Sequence, residues 1–180
     1  MAAQEQLDEA KKTAKELAEQ GESPAAIAKV LYDDGNLAIE DVARALYDTT
    51  GLNLNEHAVA EALDIMMHED PGWLLGLSLA DVARALGAED GLDLDADAVA
   101  YALFGLNEMP DTAVAAALYA SNGLNLSAGE VAGVLFRLDP DAASVAQALG
   151  AEYGLHLDDA AIAAALAEAG LEADDDDLSL

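Results

Sequence analysis

Carboxylates are the only reactive side chains this chain carries in quantity: 36 Asp and Glu stand against 7 Lys and Arg and three His, for a formal net charge of −29. A carboxylate pair does acid–base work when its surroundings push the two pKa values apart. In so acidic a sequence such pairs fall together everywhere, and spacing singles out none of them. The densest group, Asp90, Asp93, Asp95 and Asp97, offers the oxygen ligands of a calcium loop. That loop requires glycine at its sixth position and glutamate at its twelfth; counted from Asp93, these positions hold Ala98 and Phe104. The aspartates therefore read as helix caps and a solvated acidic face. His57, His68 and His156 are too far apart to set two ligands on one helical face. His68-Glu69-Asp70 lacks the second histidine of a zinc-protease helix. There is no cysteine, no Gly-x-Ser-x-Gly and no glycine-rich phosphate loop. The sequence thus predicts a protein that is not an enzyme, with no catalytic residue, no metal ligand and no cofactor.

The charge narrows the partners further. Nucleic acid and anionic membranes are bound through cationic footprints that this composition lacks. Aspartate exceeds glutamate, 21 to 15, and lysine occurs four times, three of them at Lys11, Lys12 and Lys15. This balance looks like the surface of proteins from salt-loving organisms, where dense carboxylates stay hydrated while molar salt screens their repulsion. On that reading, neutralising Asp81 or Asp97 is expected to help folding at low salt. The first twenty residues mix Glu, Gln and Lys with alanine and form neither a signal peptide nor a spanning segment, so a cytoplasmic protein is expected.

The elements that would position any site announce themselves by repetition. A segment of the type Val-Ala-x-Ala-Leu recurs nine times, marked by Ile27, Val42, Val59, Val82, Val99, Val114, Val131, Val145 and Ile162. Within one copy the apolar residues at i, i+3 and i+4 share a helical face, so each copy reads as a short amphipathic helix. A spacing of 17 residues recurs between Val42 and Val59, Val82 and Val99, Val114 and Val131, and Val145 and Ile162. Each of these pairs is divided by Gly-Leu-x-Leu, beginning at Gly51, Gly91, Gly123 and Gly154. The sequence thus predicts an all-α array of about ten helices: four hairpin repeats of about 31–32 residues and an N-terminal helix. Glycine of the motif is expected to end the first helix in the left-handed conformation. The second leucine precedes an N-cap at Asn55, Asp95, Ser127 or Asp158 and forms a hydrophobic staple with the β-branched marker. Ser23-Pro24 reads as a cap followed by proline at the first helical position.

Three segments follow: an N-terminal helix or arm at 1–22, the repeat domain at 23–171, and an acidic tail at 172–180 too poor in apolar residues to fold. The repeat is interrupted once, between Val59 and Val82, by a stretch holding Met66, Met67, the single tryptophan Trp73 and Leu74. Adaptable methionines beside an aromatic could form a contact surface for a partner, although a longer connection that tucks Trp73 against the core is the simpler account. Two hairpins superficially resemble a helix-turn-helix, but their turns are too long and only Arg44 and Arg84 could reach phosphates.

The alternation of VAxAL helices with GLxL turns from Ser23 to Gly170 resembles the helical repeats of phage tail tape-measure and related large bacterial assembly proteins. That resemblance implies a structural or interaction role; such regularity would also suit a designed or consensus-built repeat protein. The leading functional expectation is an acidic, non-enzymatic helical-repeat scaffold that binds a protein partner or a second copy of itself. An acidic nucleic-acid mimic that occupies a basic protein is the first alternative. A helical enzyme with a site near residues 65–75 is the second.

Overall fold

The computed structural model describes residues 3–33, 35, 37–69, 77–106 and 109–171. Ten helices run along it: α1 (Ala3–Glu19), α2 (Pro24–Asp33), α3 (Ile39–Tyr47), α4 (Glu56–Glu69), α5 (Leu79–Gly87), α6 (Ala96–Phe104), α7 (Asp111–Tyr119), α8 (Ala128–Leu138), α9 (Ala142–Gly150) and α10 (Asp159–Glu168). No strand occurs among the described residues. Every marker residue of the repeat is buried, none more than 3 % exposed. The alanines and leucines that follow them, Ala163 excepted, join one continuous cluster running from Leu7 on α1 to Leu166 on α10.

The helices pack by a simple rule. Each touches the helices one and two places away in the chain and none further. Odd-numbered helices therefore stack in one layer and even-numbered helices in another, and the array grows in one direction, as a solenoid does. Alanine makes this possible. Ala43, Ala60, Ala83, Ala100, Ala115 and Ala132 are completely buried, and a methyl side chain lets neighbouring backbones approach closely while favouring helix. The helix α1 belongs to the stack as well, lying on α2 and α3 with Leu7, Ala10 and Ala14 buried in the common core.

Helix starts follow the sequence. The side chains of Asn55, Asp95 and Asp158 accept from the N–H groups of Ala58, Ala98 and Ala161, each at 2.8 Å. Ser127 forms a full capping box with Glu130, and Ser23 accepts from the Ala26 N–H at 3.2 Å. A second capping box, Ser78 with Asp81, opens α5.

Helix ends differ from the sequence-based expectation. The motif glycines are not left-handed; the residue two places later is, with φ between 54° and 56° at Asn53, Asp93, Asn125 and His156. The helices have already stopped at Asp48, Ala88, Ala120 and Ala151. The glycine N–H then donates back to the carbonyl of that capping residue at 2.8–2.9 Å. Next, the N–H of the motif's second leucine donates to a leucine carbonyl in the helix just ended: Leu54 to Leu46, Leu94 to Leu86, Leu126 to Leu118 and Leu157 to Leu149, at 3.0–3.1 Å. To make these bonds the chain passes directly beneath the carbonyls of Ala45, Ala85, Ala117 and Ala148, where any Cβ would collide with backbone oxygen. Glycine is thus required by steric approach and not by handedness. Aspartate and asparagine tolerate the left-handed position better than other side chains.

Two substitutions separate these explanations. Gly91→Ala should lower the urea unfolding free energy by on the order of 2 kcal/mol, because its Cβ meets an immovable carbonyl. Asp93→Gly should change it by less than about 1 kcal/mol. Were position 93 not left-handed, Asp93→Gly would instead be plainly destabilising, because glycine would then add only unfolded-state entropy and relieve no strain.

Candidate functional site

The stretch singled out by the broken repeat divides when placed in the fold. Met66 is completely buried in the common core, one turn beyond Leu63 on the same face of α4 as Val59. Met67 is half-buried against that core. Trp73 and Leu74 lie outside the described residues. Met66 thus serves packing, and of the four contact candidates only Met67 has described surface to offer.

The same turn of α4 holds an unusual carboxylate. Asp64 is 8 % exposed, and among the described residues no hydrogen-bond donor reaches its Oδ1. The His68 Nδ1 lies 3.5 Å from that oxygen and 2.8 Å from the Asp64 carbonyl. Burial pushes the Asp64 carboxyl above its ordinary range, and the neighbouring His68 only partly offsets the shift. No group of three metal-ligating side chains forms among the described residues.

Three of the seven Lys and Arg side chains are structural clamps between rungs. Lys11 on α1 bonds Asp48 at the end of α3 at 2.9 Å. The hydroxyl and N–H of Thr50 also donate to that carboxylate, and together these bonds hold Asp48 well below the usual carboxylate range. Arg84 on α5 reaches the buried Glu40 on α3 and lies 3.5 Å from Asp81. Arg137 on α8 grips Asp97 on α6 with three bonds of 2.6–3.0 Å. Each clamp joins helices two places apart within one layer. Asp81 and Asp97, expected to be spare surface charge, are therefore both engaged, and neutralising either removes a partner.

One clamp position recurs through the even layer. The second residue of an even helix meets the last turn of the next even helix. On α4 the His57 Nδ1 lies 3.3 Å from the Ala102 carbonyl, with its ring over Gly105. On α6, Asp97 meets Arg137. On α8, Gly129 lies beneath the Glu168 side chain, whose Oε1 accepts from the Ser127 hydroxyl at 3.0 Å. Like charges also meet: Asp111, at the start of α7, is raised by burial and by the Asp139 carboxylate.

The outer surface is not uniformly acidic. Among the described residues four aromatic side chains are exposed: Tyr101 and Phe104 on α6, Tyr119 on α7, and Tyr153 in the last turn. Tyr101 and Phe104 are three residues apart and stand on one helical face. Sequence reading passed over them, although the signal was present: Tyr101 stands two residues after the marker Val99, the outward place that Arg84 takes in its copy, and Phe104 follows that copy directly. Among the described residues, no helix is long and apolar enough to cross a membrane.

Compared with protein-family models, curated proteins and solved structures, the chain matches none.

Glu40 and Arg84 give a direct measure of clamp energetics. Arg84→Met should cost about 3 kcal/mol, because it strands a buried carboxylate, whereas Glu40→Met combined with Arg84→Met should recover to within about 1 kcal/mol of the parent by urea unfolding.

Asp64 titrates in the opposite sense to a salt-bridged acid. Its folded pKa lies above its unfolded one, so the penalty for ionising it is absent below about pH 4 and grows as pH rises through the folded value. Asp64→Asn should therefore stabilise the protein at pH 7 by about 1 kcal/mol, and the gain should vanish near pH 3.

Proposed function

We propose that this protein is a non-enzymatic scaffold whose helical array works by associating with protein surfaces, a second copy of itself among them. The observation that carries the reading is the exposure of Tyr101 and Phe104 on a rigid helix face. Leaving four described aromatics in water forgoes burial of up to about 2 kcal/mol each, and aromatic side chains on a fixed element are typical anchors of protein interfaces. The one-dimensional array supports the same reading, since stacked helix pairs expose long continuous surfaces. The acidity has a second use on this view: it keeps an extended surface soluble and rejects other polyanions.

The mimic of nucleic acid is favoured by one observation, the net charge of −29 with all three arginines already paired to carboxylates. The two readings respond oppositely to salt. Contacts between apolar surfaces persist in about 2 M KCl, whereas a carboxylate surface mimicking phosphates releases its basic partner there. The test is affinity capture from the cells that make the protein, carried out in about 0.1 M and about 2 M KCl, with Tyr101→Ser/Phe104→Ser as the control bait. The scaffold reading expects a partner retained at high salt and reduced at least about tenfold by the double substitution. A partner set that is basic, lost at high salt and indifferent to the substitutions would replace it with the mimic.

A further inference from the structure

The two ends of the even layer are unequal halves of one interface. In α2, α4, α6 and α8 the alanine after the marker, Ala28, Ala60, Ala100 or Ala132, is completely buried. In α10 the equivalent Ala163 is exposed, as are Ala160, Ala164 and Ala167 on the same face. The reciprocal position lies three residues beyond the marker. There Ala62, Ala102, Val134 and Ala165 are at most 3 % exposed, but Val30 of α2 is only half-buried. Val30 lines an open groove of about 320 Å³ with Ala10, Thr13, Leu31 and Leu37. The described residues therefore leave open, at one end, the face with which an even helix meets its successor. At the other end they leave open the face with which it meets its predecessor.

Both ends are net acidic, but they differ in composition: α1 carries Lys11, Lys12 and Lys15 among Glu5, Asp8, Glu9, Glu16 and Glu19, with Lys11 paired to Asp48 and Lys12 beside Glu9 and Glu16. All four lysines, Lys11, Lys12, Lys15 and Lys29, lie on α1 and α2. Every charged residue from Asp139 to Leu171 is acidic.

We propose that a second copy of this chain docks head to tail, its α2 and lysine-bearing α1 seated on the α10 end of the first, so that the array continues across the junction. This rests on the self-associating form of the scaffold reading and names its surfaces. The contact is heterologous: each copy uses a different face, so it builds open chains or closed rings and not a twofold dimer. A twofold contact between two α10 ends would bring only acidic rims together. The apolar faces act at short range, and the −29 charge of each copy opposes assembly until salt screens it, so association strengthens as salt rises.

The experiment is light-scattering mass on a sizing column for the full chain in about 2 M KCl, over protein concentrations from about 10 µM to 1 mM. The parent should grow past two subunits with concentration. Ala163→Arg and Val30→Glu should each be monomeric, with parental helicity by circular dichroism. An equimolar mixture of the two should form pairs that grow no further, because each variant retains the end the other lacks. Where Val30→Glu does not fold, Val30→Asn takes its place. A parent that stays monomeric overturns the docking. So does a Val30 variant that still dimerises while Ala163→Arg does not, which marks a twofold α10 contact, or a mixture that stays monomeric. Growth restored in Ala163→Arg by deleting residues 172–180 also overturns it, since the tail would then be the natural occupant of the face. A monomeric parent that still captures a partner through Tyr101 and Phe104 leaves the scaffold reading standing, and loss of both removes both.

Discussion

A helix of nine residues closes few internal hydrogen bonds before its unsatisfied ends dominate, and alone in water it would not persist. Five of the ten helices among the described residues are of that length. Their existence depends on how closely each can lie against the helices one and two places away. Alanine at the contacts sets that distance, and the turn makes the approach geometrically possible. Where the chain slides beneath the carbonyl of Ala85, a single missing Cβ at Gly91 lets Leu92 and Leu94 hydrogen-bond back onto the helix just completed. The capping bond at Asp95 follows within one residue. Each hairpin is thus closed by main-chain bonds as well as by side-chain packing.

The clamps between rungs sit on top of this close packing and have a different physical character. Glu40 is removed from water and depends on Arg84; Asp97 and Arg137 remain wet, and their bond positions the helices more than it stabilises them. In a chain with so few cations, three placed between successive helices of a layer indicate that register along the stack is where positive charge has most effect. The remaining carboxylates repel one another, as Asp111 and Asp139 show where they meet.

Much of this was readable from residue order. The marker spacing of 17 residues, the N-caps at Asn55, Asp95, Ser127 and Asp158, and the helix content all follow from local rules of periodicity and capping. What escaped was whatever depends on approach in space. Gly91 looked like a left-handed helix terminator because that is glycine's usual use in such a motif; its actual neighbour is the carbonyl of Ala85, and the left-handed residue is Asp93. Met66 carried a legible signal, lying seven residues after Val59 on the same face, but the break in the repeat drew attention to its chemistry. The pairs Lys11–Asp48, Arg84–Glu40 and Arg137–Asp97 are about 40 residues apart in sequence, and no local pattern marks them.

The rule that each helix leans only on its two nearest predecessors and successors carries a consequence for the birth of the protein. A helix emerging from the ribosome finds every earlier surface it needs already present, and nothing it requires is still to be synthesised except the rung that will cover it. Folding can therefore proceed in the direction of translation. The polar-faced α1, at 17 residues the longest of the described helices, supplies such a surface to α2 and α3, and each later helix finds its own on the two before it.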